Sequence, residues 1–140
     1  MTFLLDTNVI SEWVKPRPDI NVVAWLADVD EDRVFLSVAS FAELRHGIER
    51  MPEGRRRERL TSWLAEDLPL RFEGRVVGID RAVAEAWGVI VAHSQKAGAT
   101  ISAMDAFFAA TAQQRDLTLV TRDVQDFGTL DIALLNPWSS

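Results

Sequence analysis

The sequence predicts an α/β protein, a three-layer α/β/α sandwich around a mainly parallel sheet of about five strands. Three observations carry that expectation. Strand-like and helix-like segments alternate along the 140 residues. The strand-like runs are short and continuously apolar, as strands covered on both faces are. No repeat, low-complexity stretch or long linker divides the chain, so residues 1–140 read as a single domain of common size.

The first strand is Phe3 to Leu5, stopping at Asp6, which is placed to cap a helix beginning near Asn8. Val22, Trp25, Leu26 and Val29 mark a helical stripe behind the capping residue Asp19. Val34 to Ser37 is the second strand. Leu60, Trp63, Leu64 and Leu68 form another stripe, ended by Pro69. After the strand Val76 to Ile79, a third stripe of Val83, Trp87 and Val91, with Ala86 and Ile90 beside them, follows Asp80. The Ala-rich stretch Ala103 to Ala112 reads as a helix buried on more than one side. Leu117 to Val120 and Ile132 to Leu135 complete the strands, before Asn136-Pro137. This order implies right-handed crossovers. The stripe residues and most of the five tryptophans are assigned to the core.

An apolar fraction of 48% and a charged fraction of 26% exclude a disordered chain. No apolar run approaches the roughly 18 residues that span a bilayer, and the opening residues carry no basic leader. A cytoplasmic protein without membrane contact is therefore expected. The absence of cysteine excludes a disulfide frame, a zinc–thiolate site and a thiol nucleophile. Twenty-one acids against fifteen bases give a net charge of −6, the wrong sign for gripping nucleic acid by bulk attraction. Only Lys15 and Lys96 are lysines; four of the arginines are Arg55, Arg56, Arg57 and Arg59. Nucleic-acid binding would need local basic patches or bound cations.

In an open parallel sheet, ligands bind beyond the carboxyl ends of the strands. Four acids map there: Asp6 after the first strand, Glu43 in the first turn of the helix after the second, Asp105 in the first turn of the Ala-rich helix, and Asp123 after Val120-Thr121-Arg122. Each has a structural explanation as well. Ser40-Phe-Ala-Glu43 and Ser102-Ala-Met-Asp105 both fit the capping box, and taken singly either acid reads first as a cap. Asp6 suits a helix cap, and Asp123 a turn before Phe127-Gly128. Four such coincidences on one edge favour a site.

Two like charges about 5 Å apart at an effective dielectric near 20 repel by roughly 3 kcal/mol. Summed over every pair of four converging carboxylates, the upper estimate approaches 20 kcal/mol, above a typical domain's stability of about 5–15 kcal/mol. Protonation or a bound cation must relieve such a cluster. Oxygen ligands with no cysteine select a hard ion such as Mg²⁺ or Mn²⁺.

Several rivals lack their residues. A receiver-type phosphoacceptor needs a lysine after a late strand, and neither Lys15 nor Lys96 is so placed. A haloacid-dehalogenase-type phosphatase begins Asp-x-Asp, whereas the second position here is Asn8. Neither G-x-x-x-x-G-K-[ST] nor G-x-S-x-G occurs.

Four stretches in order resemble PIN-domain ribonucleases. They are Leu4-Leu-Asp6-Thr-Asn8-Val-Ile-Ser-Glu12, Ser40-Phe-Ala-Glu43-Leu-Arg-His-Gly47, Ile101-Ser-Ala-Met-Asp105 through Thr111, and Leu119-Val-Thr121-Arg-Asp123 followed by Asp126-Phe127. The closing Leu135-Asn-Pro-Trp138 resembles the FitB-like branch of the VapC toxins. The resemblance implies a metal-dependent endoribonuclease, the toxin of a type II toxin–antitoxin pair. Matched residue by residue, it makes Asp6, Glu43, Asp105 and Asp123 the catalytic, metal-holding quartet for Mg²⁺ or Mn²⁺. Thr7, Asn8 and Thr121 match positions that orient the acids or touch substrate. Asp126 either joins the quartet or braces the last loop. Water activated by the metal would leave a 5′-phosphate end, unlike histidine-based cleavage through a cyclic phosphate.

The resemblance further implies a cognate antitoxin, operator DNA reached only through that antitoxin, an RNA substrate and a homodimer. An alternative keeps the fold but makes the chain a catalytically weak regulatory module within an antitoxin–DNA repressor. Arg122, beside Asp123, is placed to contact phosphate, and Arg45 to do so or to pair with an acid. The Arg55–Arg59 cluster reads as a solvated helix face, or as a contact for RNA or antitoxin. His46 lies one turn after Glu43 and reads as structural or a substrate contact; His93 reads as a surface residue.

Overall fold

Five short strands, β1 (Phe3–Leu5), β2 (Val34–Ser37), β3 (Val76–Val77), β4 (Thr118–Val120) and β5 (Leu134–Leu135), form one sheet in the order β3-β2-β1-β4-β5. Every pairing is parallel. The computed structural model that shows this describes residues 1–139. The register sets Leu4 opposite Leu119 and Leu5 opposite Val120. Because side chains alternate across a sheet, Leu4 and Leu119 enter one core while Leu5 and Val120 enter the other. Both faces of the sheet must therefore be covered.

One face carries α1 (Thr7–Glu12), α2 (Ile20–Asp28) and the segment α4 (Arg55–Ser62) to α5 (Leu68–Arg71), which bury Val9, Ile10, Val22, Leu26, Leu64 and Leu68. The other carries α6 (Arg81–Lys96), α7 (Ala103–Arg115) and α8 (Val124–Phe127). Helix α3 (Val38–Glu49) spans the margin, giving Ala39 to one core and Ile48 to the other. The expected three-layer sandwich is the fold observed. Helix α7 is buried on several sides, as its composition predicts: Phe108 through Ala112 are all buried in succession. Asp19 and Asp80 cap α2 and α6 as expected.

Three expectations need correction. The tryptophans are half-buried at the margins of the cores, and the large, fully buried rings are Phe72, Phe108 and Phe127. Indole keeps an N–H that needs a partner, which a margin supplies; that of Trp87 donates to the Ala103 carbonyl at 3.0 Å. Pro69 does not end its stripe. A π turn over Trp63–Asp67, closed by the Leu68 N–H on the Trp63 carbonyl, carries the helix through Pro69 to Arg71. Its wider spacing makes room for the proline ring. Finally, β3 and β5 are two residues each, shorter than their apolar runs. Both are edge strands, where pairing on one side alone sustains less ladder.

Candidate active site

Strand order reverses between β1 and β4, since the chain builds outward through β2 and β3 and later returns to the opposite side of β1. Ligand sites in such sheets lie beyond the strand ends at that point. There β1 runs into Asp6 and β4 into Thr121. Asp6 is 6% exposed and caps α1, with Oδ1 accepting the Thr7 N–H at 2.7 Å. Its Oδ2 accepts the Thr121 hydroxyl, also at 2.7 Å, and that hydroxyl accepts the Asp123 N–H at 3.0 Å.

The next two residues reach two further acids. The Thr7 hydroxyl donates to Glu43 Oε1 at 2.6 Å, and Asn8 Nδ2 donates to Asp123 Oδ2 at 3.1 Å. Successive residues in a helical first turn fan out around its axis, so Asp6-Thr7-Asn8 holds acids from α3 and from the start of α8. With its one proton given to Glu43, Thr7 accepts from the Ser40 hydroxyl 2.9 Å away.

Ser40 is a site residue that the pattern did not reveal. The Ser40–Glu43 capping box does not form: Ser37 caps α3 by accepting the Ala39 N–H, so Glu43 lies beyond the first turn. Strand β2 runs directly into α3, leaving the cap to its last residue and freeing Ser40, wholly buried, for Thr7. The only advance signal was a small polar residue where the helix faces inward. The Ser102 cap does form, accepting the Asp105 N–H at 3.1 Å.

Burial is the largest influence on Asp6 and pushes its carboxyl up to about 6; Thr121 and the Thr7 N–H oppose this, while Asp105 and Glu43 add to it. Asp105 is also raised, again chiefly by burial, with Ser102 opposing and the charges of Asp126, Asp123 and Glu43 adding. Asp6, Glu43, Asp105, Asp123 and Asp126 therefore share one field. Among the described residues no lysine or arginine stands within 4.0 Å of any of them, although other acids such as Glu12, Glu31 and Glu49 have such partners.

Asp123 and Asp126 are exposed, and Asp126 meets Asp105 through charge. Arg122 is exposed with its guanidinium 5.5 Å over the Trp138 ring. His46 and His93 are exposed and outside the hydrogen-bonded network; Arg45 pairs with Glu49.

The donor set suits a hard divalent ion. It consists of carboxylate oxygens, and the buried Asn8 Oδ1 has no hydrogen-bond partner. Its orientation follows from Nδ2 facing the Asp123 carboxylate. Among the described residues, no three histidine or acidic side chains stand close enough to enclose an ion. The acids expected to meet around an ion thus share a rim without three of them closing on one point.

A family profile described as PIN domain matches residues 3–131. The chain is 40% identical over 135 residues to toxin FitB of Neisseria gonorrhoeae, covering 96% of this chain and 97% of that one. It is 34% identical over 135 residues to VapC ribonuclease Y4jK of Sinorhizobium fredii, covering 96% of each. Among solved structures, FitAB bound to an IR36 DNA fragment matches with a TM-score of 0.92 at 37% identity, over 99% of this chain and 97% of that one.

Proposed function

This chain belongs to the PIN domain family, and on that premise we propose that it is the endoribonuclease toxin of a type II toxin–antitoxin pair, dependent on Mg²⁺ or Mn²⁺. The observation that carries this reading is the field of acids around Asp6 and Asp105 with no basic partner. RNA is itself anionic, so this rim without a counterion repels the substrate it is meant to cut.

The chain's own residues fix the acids. Thr121 and the Thr7 N–H hold both oxygens of Asp6, Thr7 orients Glu43, and Asn8 orients Asp123. With Asp105, these are the residues that would hold the ion. A bound divalent ion lowers the pKa of water and offsets charge on phosphate oxygens. In the proposed reaction water attacks phosphorus and the bond to the 3′ oxygen breaks, leaving a 3′-hydroxyl and a 5′-phosphate. Arg122, beside Asp123, is positioned in sequence to contact that phosphate.

The test is RNA cleavage with Mg²⁺ or Mn²⁺ against EDTA, with product ends identified by ligation. Asp6→Asn and Asp105→Asn are expected to lose activity; both cutting as fast as the parent would overturn the reading.

FitAB is a complex seen on DNA, which supports a cognate antitoxin here and operator contact through it. A net charge of −6 favours an antitoxin with a basic segment. We extend the proposal to a homodimer acting on cytoplasmic RNA; light scattering on the purified chain tests the former. No helix among the described residues is long and apolar enough to cross a membrane. The DNA-bound neighbour also favours a second reading, a regulatory module with weak catalysis, and the same cleavage assay separates the two.

A further inference from the structure

The closing stretch Leu135 to Trp138 holds none of the acids, yet it reaches their rim through Arg122. The backbone on both sides of Arg122 is fixed. Before it, the Thr121 N–H donates to the Leu135 carbonyl at 2.9 Å and the Thr121 hydroxyl donates to Asp6. After it, the Asp123 N–H is held by that same hydroxyl and the Asp123 carboxylate by Asn8. Only the long, exposed Arg122 side chain is left to swing. An unrestrained guanidinium there would fold onto a neighbouring acid, because its fork matches a carboxylate. It does not. Among the described residues Arg122 has no carboxylate within 4.0 Å, and its guanidinium lies 5.5 Å from the centre of the Trp138 ring.

That ring is itself anchored. Beyond β5, Pro137 and Trp138 form a turn in which the Trp138 N–H donates to Asn136 Oδ1 at 2.9 Å. Pro137 is buried, and the Trp138 carbonyl accepts Asn21 Nδ2, from the first turn of α2, at 3.1 Å. The half-buried indole packs against the core that α1 and α2 cover.

We propose that Trp138 is a positioning residue for RNA cleavage: its indole holds the Arg122 guanidinium beside the acids, where it grips a substrate phosphate without neutralising the carboxylates that would hold the ion. The proposal rests on the RNA-cleaving reading of the rim. Two demands conflict there. A phosphate needs a cation nearby, yet a guanidinium paired with Asp123 or Asp126 would compete with a divalent ion for the same charge. An aromatic face attracts a cation through its quadrupole and leaves the guanidinium N–H groups free to donate to phosphate oxygens. A side chain already held in place also has less freedom to lose when the phosphate arrives.

The test is a double-mutant cycle on cleavage of a fluorogenic RNA of mixed sequence by the full chain with Mg²⁺ or Mn²⁺. It is run at a temperature where every variant is folded by circular dichroism. Arg122→Ala should lower kcat/KM about tenfold or more, as expected for a lost hydrogen bond to a charged group. Trp138→Leu in the parent should lower it about two- to fivefold, the worth of an exposed cation–aromatic contact. The same substitution made on Arg122→Ala should lower it no further. Trp138→Phe should fall between the parent and Trp138→Leu, because the smaller ring attracts a cation less strongly. A second readout needs no activity. The Arg122 Nε–H proton, identified by NMR as the signal missing in Arg122→Ala, should be shifted upfield by the indole in the parent and return downfield in Trp138→Leu.

Equal losses from Trp138→Leu with and without Arg122 would overturn the proposal in favour of simple packing. Full activity in Arg122→Ala, or an Nε–H signal indifferent to Trp138, would overturn it as well. A parent that cuts no RNA with either ion is a different failure: it removes the function reading, and this proposal with it, whatever the NMR signal does.

Discussion

The Thr121 hydroxyl sits 2.7 Å from Asp6 Oδ2 and joins the first residue beyond β4 to the first residue beyond β1, across the point where strand order reverses. It also accepts the Asp123 N–H, so one oxygen ties two acids of the rim together. Thr121 is wholly buried, as Asp6 nearly is, and water cannot replace the contact without entering the core. Thr121→Val keeps the shape and removes the hydroxyl. It is expected to cost about 1.5–3 kcal/mol in urea unfolding, the range for a hydrogen bond to a charged group, and to slow RNA cleavage. Thr121→Ser should retain most of both.

Thr7 and Ser40 make a second prediction. Thr7→Val removes the donor to Glu43 and the acceptor for Ser40, leaving a wholly buried hydroxyl unpaired. A stability loss of about 1–3 kcal/mol is expected. Ser40→Ala should cost less, because Thr7 then lacks only a donor to one of its lone pairs. Equal losses in the two variants would show that Thr7 does not relay between Ser40 and Glu43.

Stability should depend on pH through Asp6. Its carboxyl lies at about 6 in the folded chain against 3.8 in the unfolded one. Because the folded value is raised, the proton is held more tightly by the native state. This group's stabilising contribution is full below 3.8 and is lost as pH climbs through about 6. The swing is about 3 kcal/mol at most. Asp105 acts in the same direction, and its contribution fades as pH rises. Glu12 acts oppositely: burial pushes it up, but Lys15 and the Asp19 N–H outweigh that and hold it low, so its contribution fades on acidification. Subtracting the Asp6→Asn profile from the parent's isolates Asp6. A flat difference between about pH 4 and 7 would refute the assignment.

Divalent ions should stabilise the chain and flatten that profile. An ion binding only the native state adds RT ln(1 + [L]/Kd), about 2.7 kcal/mol at a hundredfold excess over Kd. Thermal melts at neutral pH with added Mg²⁺ or Mn²⁺ should move upward, and Asp6→Asn or Asp105→Asn should lose most of the shift. An identical shift in parent and variants would place the ion elsewhere.

The acids and their edge were legible in the chain because position along a parallel strand is a local property. An apolar run that halts at Asp6 or Val120 marks a strand end, and strand ends share one side of such a sheet. The α7 helix was legible for a similar reason, since an Ala-rich stretch with apolar residues on several sides predicts burial on several faces whatever packs there. Pro69 and Ser40 were misread because each depends on a non-local or unusual arrangement: a π turn in one case, a cap displaced onto Ser37 in the other.

The amino-acid order alone determined the layered α/β architecture, the acids at its rim and the absence of any thiol chemistry. Folding decided which partner each acid received: Thr121 for Asp6, Thr7 for Glu43 and Asn8 for Asp123. It also decided that Arg56 on α4 lines the same cavity as Glu43. Periodicity fixes the face on which a side chain lies, but hydrogen bonds need oxygen and nitrogen within about 3 Å, and that distance is set only when separate strands and helices take their final register.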